Sequence, residues 1–273
     1  MTLARSCLGA ADRLLSPALS ALLTWFILWS AATSADVRAE VITLRADKGC
    51  PYVCDPAADH PGYAVEVARE VFTALGYTLD VQLTAWEQAL SEAKQGRIDG
   101  VIGSSAVPGR GLIYPVESIG IAFNVLAVRK GERFAYRDAS SLAGHRLGAI
   151  AGYSYDPEIV LYLKAHVGDP AAVQVTSNSD DALDINLRAL VGGQLDVMID
   201  DANVIIAKLD PLGIRDRIEF AHRFDDDPLF IGFSAARPTS ALYARALSDG
   251  IVRLRGTGGL ERILARYGVP DWR

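Results

Sequence analysis

The sequence predicts an α/β fold built as two similar lobes, each a mainly parallel sheet flanked by helices. Three observations carry this. Short apolar strands alternate with segments of helical periodicity from Val41 to Ile102, and the same alternation returns from Leu147 to Ile199. Each stretch also contains one phrase, Gly96-Arg97-Ile98-Asp99 and Gly193-Gln194-Leu195-Asp196, followed by a short apolar strand. Parallel neighbours need a helix-length crossover, so repeated strand–helix–strand units imply parallel sheets covered by helices.

The elements follow in order. Val41–Ala46 reads as a first strand, running into a loop rich in Gly, Pro, Asp and Cys. After Gly62, the residues Ala64, Val65, Ala68, Val71, Phe72 and Leu75 fall at helical spacing, with Glu66, Arg69 and Glu70 on the wet face. Gly76 stops that helix. A strand over Thr78–Leu83 leads to a helix over about 86–95, then a buried strand over 98–102. A long strand is expected over 122–129. Beyond it come strands at 147–151, 173–175 and 197–199, with helices at 159–165, about 181–190 and from Val204. A last strand, Leu229–Ser234, precedes a helical region over 240–267 that Gly256, Gly258 and Gly259 divide in two.

The chain has 273 residues, half of them apolar, enough for a sizeable core. Its first 39 residues differ from the rest. Arg5 and Arg13 precede an apolar run through Leu22, Trp25, Phe26 and Trp29, and small residues follow up to Ala35 and Ala39. This is the pattern of a secretory signal peptide, with cleavage after Ala35 or Ala39; an uncleaved anchor is the competing reading. No later stretch is long and apolar enough to span a membrane. Without residues 1–39, 24 basic and 31 acidic residues remain, a formal charge of −7. That balance opposes generic nucleic-acid binding, which depends on basic surface.

Two cysteines then remain, Cys50 and Cys54. In an exported chain they read as a small-loop disulfide. Two free thiols, or a metal site shared with His60, are the alternatives. A loop this short adds little by chain entropy; its effect is to hold Tyr52.

From Ile42 to Trp272 the order and spacing of short phrases resemble the polar-amino-acid branch (family 3) of periplasmic solute-binding proteins. The phrases are Gly62-Tyr63-Ala64-Val65-Glu66, Leu75-Gly76-Tyr77, Trp86 thirteen residues before Asp99, and Ser104-Ser105-Ala106-Val107-Pro108-Gly109-Arg110. Further on come Ser141-Leu142-Ala143-Gly144, Gly152-Tyr153-Ser154, Gly193-Gln194-Leu195-Asp196 with Asp201, and Tyr267-Gly268. The resemblance implies a type II periplasmic-binding-protein-like fold with two hinge crossings. Lobe 1 would comprise residues 40–118 and 232–273, with lobe 2 inserted as 119–231. It also implies a monomer that needs no cofactor or metal, captures a small polar, amino-acid-like solute, and delivers it to the permease of an ABC transporter.

The same resemblance assigns pocket roles. Arg110 is expected to clamp the ligand's carboxylate, since a guanidinium fork matches two carboxylate oxygens; a surface arginine in a Pro-Gly turn is the bland alternative. Ser104, Ser105 and nearby amides would complete that side. Gly152, Tyr153 and Ser154 would reach the same group from lobe 2, unless Ser154 simply caps the following helix. Asp201, with Asp200 as the one-residue alternative, would take an ammonium. Trp86 and Tyr52 would wall the site with ring faces, and Tyr155 is a weaker candidate.

The sequence departs from that family in places. Val107 stands where a hydroxyl residue is usual, Glu66 replaces an Asp, and the cysteine loop and Gly268-Val269-Pro270-Asp271-Trp272 mark a subgroup. Two rivals remain. One is a solute sensor for a signalling system. The other is a lyase, for which Glu66, Asp201 or Glu158 could act as acid or base; none of His60, His145, His166 and His222 falls in a nucleophile or metal pattern.

Overall fold

The computed structural model describes residues 39–273; the expected signal peptide falls outside them. The described chain forms two sheets. Strand β1 (Val41–Ala46) is followed by helix α1 (Tyr63–Thr73), β2 (Thr78–Leu83), α2 (Trp86–Lys94), β3 (Gly100–Ser105), β4 (Leu112–Ile113) and β5 (Gly120–Ala122). Then come β6 (Asn124–Arg129), β7 (Leu147–Ile150), α3 (Pro157–His166), β8 (Val173–Thr176), α4 (Ala182–Val191), β9 (Val197–Asp201), α5 (Ala202–Leu209) and β10 (Ile218–Arg223). Strand β11 (Asp227–Ser234) and helices α6 (Ser240–Gly256) and α7 (Gly259–Ala265) close the chain.

The first sheet has the order β2-β1-β3-β11-β4, with β5 also on β11; the second has the order β10-β6-β9-β7-β8. Parallel pairing is confined to β2-β1-β3 and to β8-β7-β9. The remaining pairs are antiparallel. The sheets are therefore mixed rather than mainly parallel. The physical reason is connection length: only the strands joined through a helix can run the same way.

The expected strand over 122–129 is in fact two, in different sheets. At Phe123 the backbone leaves the ladder: its amide donates to the Asp201 carboxylate at 3.0 Å and its carbonyl accepts from the Ala202 amide at 3.1 Å. The chain returns to the first sheet between Arg223 and Asp227. The expected boundaries at 118/119 and 231/232 therefore differ from the sheet pairing, because β5 and the start of β11 hydrogen-bond within the first sheet. The two crossings run side by side, with the Phe224 amide donating to the Asn124 carbonyl at 2.9 Å. Arg223 lies over the Phe123 ring, 4.2 Å from its centroid.

The repeated Gly-x-Ile/Leu-Asp phrase performs the same job twice. Asp99 accepts the Thr43 amide at 2.8 Å, at the start of β1. Asp196 accepts the Arg146 amide at 2.9 Å, just before β7. Each carboxylate ties the end of one strand–helix unit to the strand beside it, and each has an arginine, Arg237 or Arg129, as its counter-charge.

The first core lies between the sheet and α1, α6 and α7. Phe72 meets Tyr77, Phe233 and Tyr243 edge-on, with centroids 6.0–6.2 Å apart. Burying each such ring contributes about 1.5–3 kcal/mol. The second sheet is covered on one face by α4 and α5 and on the other by α3. These cores hold rigid the strand ends from which the site is built.

Candidate functional site

A cavity of about 140 Å³ opens beside the crossings. Its walls come from the carboxyl ends of four parallel strands. Asp47 follows β1, Ser105 ends β3, Tyr153 and Ser154 follow β7, and Asp200 and Asp201 end β9. This is where open α/β sheets place ligands, because loops there diverge and leave a crevice.

The cysteine loop positions Tyr52. The Cys50 and Cys54 sulfurs are bonded, 2.00 Å apart, and the Gly49 and Val53 backbones exchange two hydrogen bonds of 2.9 Å. The Pro51 and Tyr52 carbonyls accept from the first two amides of α1, Tyr63 and Ala64, at 3.0 and 3.1 Å. Gly62 makes that approach possible. It has φ 104, and a Cβ there would stand 2.3 Å from the Tyr52 carbonyl oxygen. The loop thus caps a helix and aims the Tyr52 ring at the cavity.

The Tyr52 hydroxyl reaches the second sheet's carboxylate. It donates to the Ile121 carbonyl at 2.8 Å, stands 3.2 and 3.3 Å from the two Asp201 oxygens, and accepts from the Asn203 amide at 2.9 Å. Burial and the nearby Asp201 charge push its pKa up, so the hydroxyl keeps its proton. Asp201 also caps α5 through the Val204 amide, at 3.0 Å. Capping and cavity lining therefore coexist in one side chain. Burial pushes the Asp201 carboxyl up to about 6, while the Val204 and Phe123 amides pull it back.

Arg110 extends from the β3–β4 loop into the cavity. Its Nη1 donates to Ser104 Oγ at 3.4 Å and its Nη2 to Ser154 Oγ at 3.3 Å. Among the described residues no carboxylate pairs with it, so the guanidinium keeps its full charge toward the cavity. Ser154 does not cap α3. That role belongs to Asp156, which accepts the Glu158 amide at 2.9 Å and leaves the Ser154 hydroxyl available.

The structure brings together Arg110, Ser105, Trp86, Tyr52, Tyr153, Ser154 and Asp201 on one wall system. Three expected residues stand elsewhere. Ser104 is fully buried behind the cavity, between Arg110 and the Tyr114 hydroxyl at 3.1 Å, because neighbours on a strand face opposite ways. Gly152 is off the wall and abuts Glu87 of α2, whose carboxylate would lie 2.9 Å from a Cβ there. Tyr155 is buried against Ile150 and does not line the cavity.

Sequence reasoning missed Asp47, Asn124 and Asp227. Asp47 accepts the Tyr153 hydroxyl at 2.6 Å, and burial raises its pKa although that bond lowers it. Asn124 donates to the Ser154 carbonyl at 3.3 Å, and Asp227 accepts from the Ser105 hydroxyl. Asp200 enters beside Asp201 rather than in place of it. Burial pushes it up to about 8, the Asp201 amide opposes that, and the Asp201 and Asp47 charges add to it.

The model of a family described as bacterial extracellular solute-binding proteins, family 3, matches residues 41–270. No curated protein sequence matches the chain. Solved structures share the fold. A histidine kinase sensor domain with similarity to periplasmic binding proteins superposes with a TM-score of 0.66 at 20% identity, covering 84% of this chain and 96% of its own. The ligand-binding core of GluR0 from Nostoc punctiforme, in complex with L-glutamate, gives 0.65 at 15% identity, covering 84% and 100%. The substrate-binding protein AbpA from Streptococcus pneumoniae, bound to L-arginine, gives 0.64 at 17%, covering 83% and 94%. At these identities the likeness is one of fold.

Proposed function

The chain belongs to the bacterial extracellular solute-binding proteins, family 3, and on that footing we propose that it captures a small amino-acid-like solute between two closing lobes. The observation that carries the proposal is the meeting of Arg110, from the first-sheet side, with Ser154, from the second, at 3.3 Å on one cavity. Each lobe bears the donors for half of one anionic group. A carboxylate placed between them would take the guanidinium fork from one side and the hydroxyl from the other.

In this reading Arg110 holds the α-carboxylate, with Ser105, Ser154 and the Tyr153 amide around it, and Ser104 steadies the guanidinium from behind. Asp201 takes the α-ammonium alongside the Tyr52 hydroxyl. The Trp86 and Tyr52 rings exclude water. A solute closes such a protein only through contacts it makes better in the closed form. The hydrogen bonds Arg110–Ser154, Tyr52–Asp201 and Tyr153–Asp47, which all join the two sheets' sides, are those the solute would replace or reinforce. The lobes we propose exchange at Phe123 and near Phe224, and the protein works as a monomer exported by its N-terminal signal to the periplasm, handing the solute to an ABC-type permease.

That relatives of the same fold are described as bound to L-arginine and to L-glutamate supports an amino-acid-like ligand. A sensing role is the second reading, favoured by the likeness to a kinase sensor domain; an adjacent kinase gene rather than a permease gene would decide for it. The direct test is a thermal-shift screen of the purified protein against amino acids, opines, polyamines and small carboxylates. Amino acids or opines are expected to raise Tm. Stabilisation confined to compounds without an α-carboxylate would overturn the proposal.

A further inference from the structure

Four carboxylates, Asp47, Asp200, Asp201 and Asp227, face one guanidinium, Arg110, on the cavity wall, with no lysine or histidine among them. A ligand with one carboxylate and one ammonium would leave this imbalance in place. Asp201 and Asp227 are occupied, the first by the α5 amide and Tyr52, the second by Ser105. Asp47 has the Tyr153 hydroxyl.

Asp200 is different. It is 3% exposed, and its Oδ1 accepts the Asp201 amide at 2.8 Å. Its Oδ2 has no hydrogen-bond partner among the described residues. Buried carboxylate oxygens are nearly always paired, because desolvating one without a donor is costly. The local candidate donor, the Tyr155 hydroxyl, is turned to the Ile150 backbone instead. Asp200 lines the cavity wall, so a cation bound there can supply the partner that Oδ2 lacks, in place of the proton that burial otherwise holds on this carboxyl. Among the described residues no three His, Cys, Asp or Glu side chains converge closely enough to hold a metal ion, so the chemistry that fits is an N–H-bearing organic cation.

We infer that Asp200, with Asp47 on the same wall, forms a second cation-binding position, so that the solute is an amino acid whose side chain carries a protonated nitrogen. The inference rests on the amino-acid-like reading of the site. The α-carboxylate goes to Arg110 and the α-ammonium to Asp201. The side-chain ammonium or guanidinium donates to Asp200 Oδ2 and shares the charge of Asp47. Asp200 is then a residue that sets specificity, and the adjacent pair Asp200-Asp201 divides two cationic groups of one ligand.

The test is calorimetric titration of the purified protein with two matched pairs, lysine against norleucine and arginine against citrulline. Each pair keeps the α-groups and the chain length and changes the side-chain charge. The cationic member is expected to bind about tenfold or more tightly than its neutral partner, the usual value of a hydrogen bond to a charged group. In Asp200→Asn both affinity ratios are expected to shrink about tenfold. Equal binding within both pairs overturns this inference and leaves the amino-acid reading standing. If no member of either pair binds while another amino acid or an opine raises Tm, this inference falls and the amino-acid reading stands; if only compounds without an α-carboxylate raise Tm, both fall. Should Asp200→Asn fail to fold, the wild-type ratios and Asp47→Asn decide the matter by the same criterion.

Discussion

The Tyr52 hydroxyl stands 3.2 Å from Asp201 Oδ2, and this contact joins the cysteine loop of the first sheet to the end of β9, the central strand of the second. The two residues are 149 positions apart in the chain. The same hydroxyl donates to the Ile121 carbonyl in β5, two residues before the crossing at Phe123. One phenol therefore touches both sides of the cavity next to the hinge between them.

Replacing Tyr52 with Phe removes those bonds and keeps the ring. The ligand-free protein should then spend more time open, and X-ray scattering should give a larger radius of gyration. Affinity for the best solute from the thermal screen should weaken about tenfold, as for loss of a hydrogen bond to a charged group. Unchanged scattering and unchanged Kd would remove Tyr52 from the closing mechanism.

Arg110→Ala should weaken solute binding at least about a hundredfold, since it removes a bidentate charged donor that lysine cannot reproduce geometrically. Arg110→Lys should recover only part of that loss. Both variants should unfold at nearly the wild-type temperature, because Arg110 bonds only to two neutral hydroxyls. Calorimetry and circular dichroism read the two effects separately.

The buried acids make stability depend on pH in an unusual direction. Asp200 has an ordinary value of 3.8 when unfolded and about 8 when folded; Asp201 moves to about 6. Between those limits the native protein holds protons that the unfolded chain has released. The contribution of these groups is therefore fully present below about pH 4 and is lost as pH rises through 6 to 8. Between pH 6 and 8, Asp200 alone accounts for a fall of about 1.4 kcal/mol per pH unit. Ligand-free Tm measured from pH 5 to 8.5 should fall accordingly, and Asp200→Asn should flatten the slope. A slope identical in the two proteins would show that Asp200 ionises normally.

Asp99 and Asp196 occupy equivalent places, but the Asp99 side chain is 2% exposed and that of Asp196 40%. Asp99→Ala should cost about 3 kcal/mol, because it leaves the Thr43 amide and hydroxyl without their acceptor at a buried position, although Arg237 can return to water. Asp196→Ala should cost about 1 kcal/mol or less, as an exposed pair does. Urea denaturation midpoints give the ordering directly.

Most of the element order was readable because strands and helices announce themselves locally, through period and through Gly stops such as Gly76. Strand β10 was not. Its Glu219 and His222 interrupt the apolar run, as an edge strand tolerates. The split at Phe123 was equally hidden, since the cue is a side chain, Asp201, that lies 78 residues away. In the site, Arg110, Ser154 and Asp201 were found through the order of short phrases. Asp47 and Asp227 were not, because each gains its place from a distant partner, Tyr153 or Ser105. Ser104 and Ser105 show the limit from another side. Period two separates them, but the sequence does not say which of them faces the cavity.

The Phe224–Asn124 hydrogen bond, which ties the two crossings together, constrains how this protein can open. Two independent tethers would let the halves twist as well as gape. Stitched into one ribbon, they favour bending over twisting, so under the proposed capture different solutes would be reported outward through one similar angle, and that angle is the feature a permease would read.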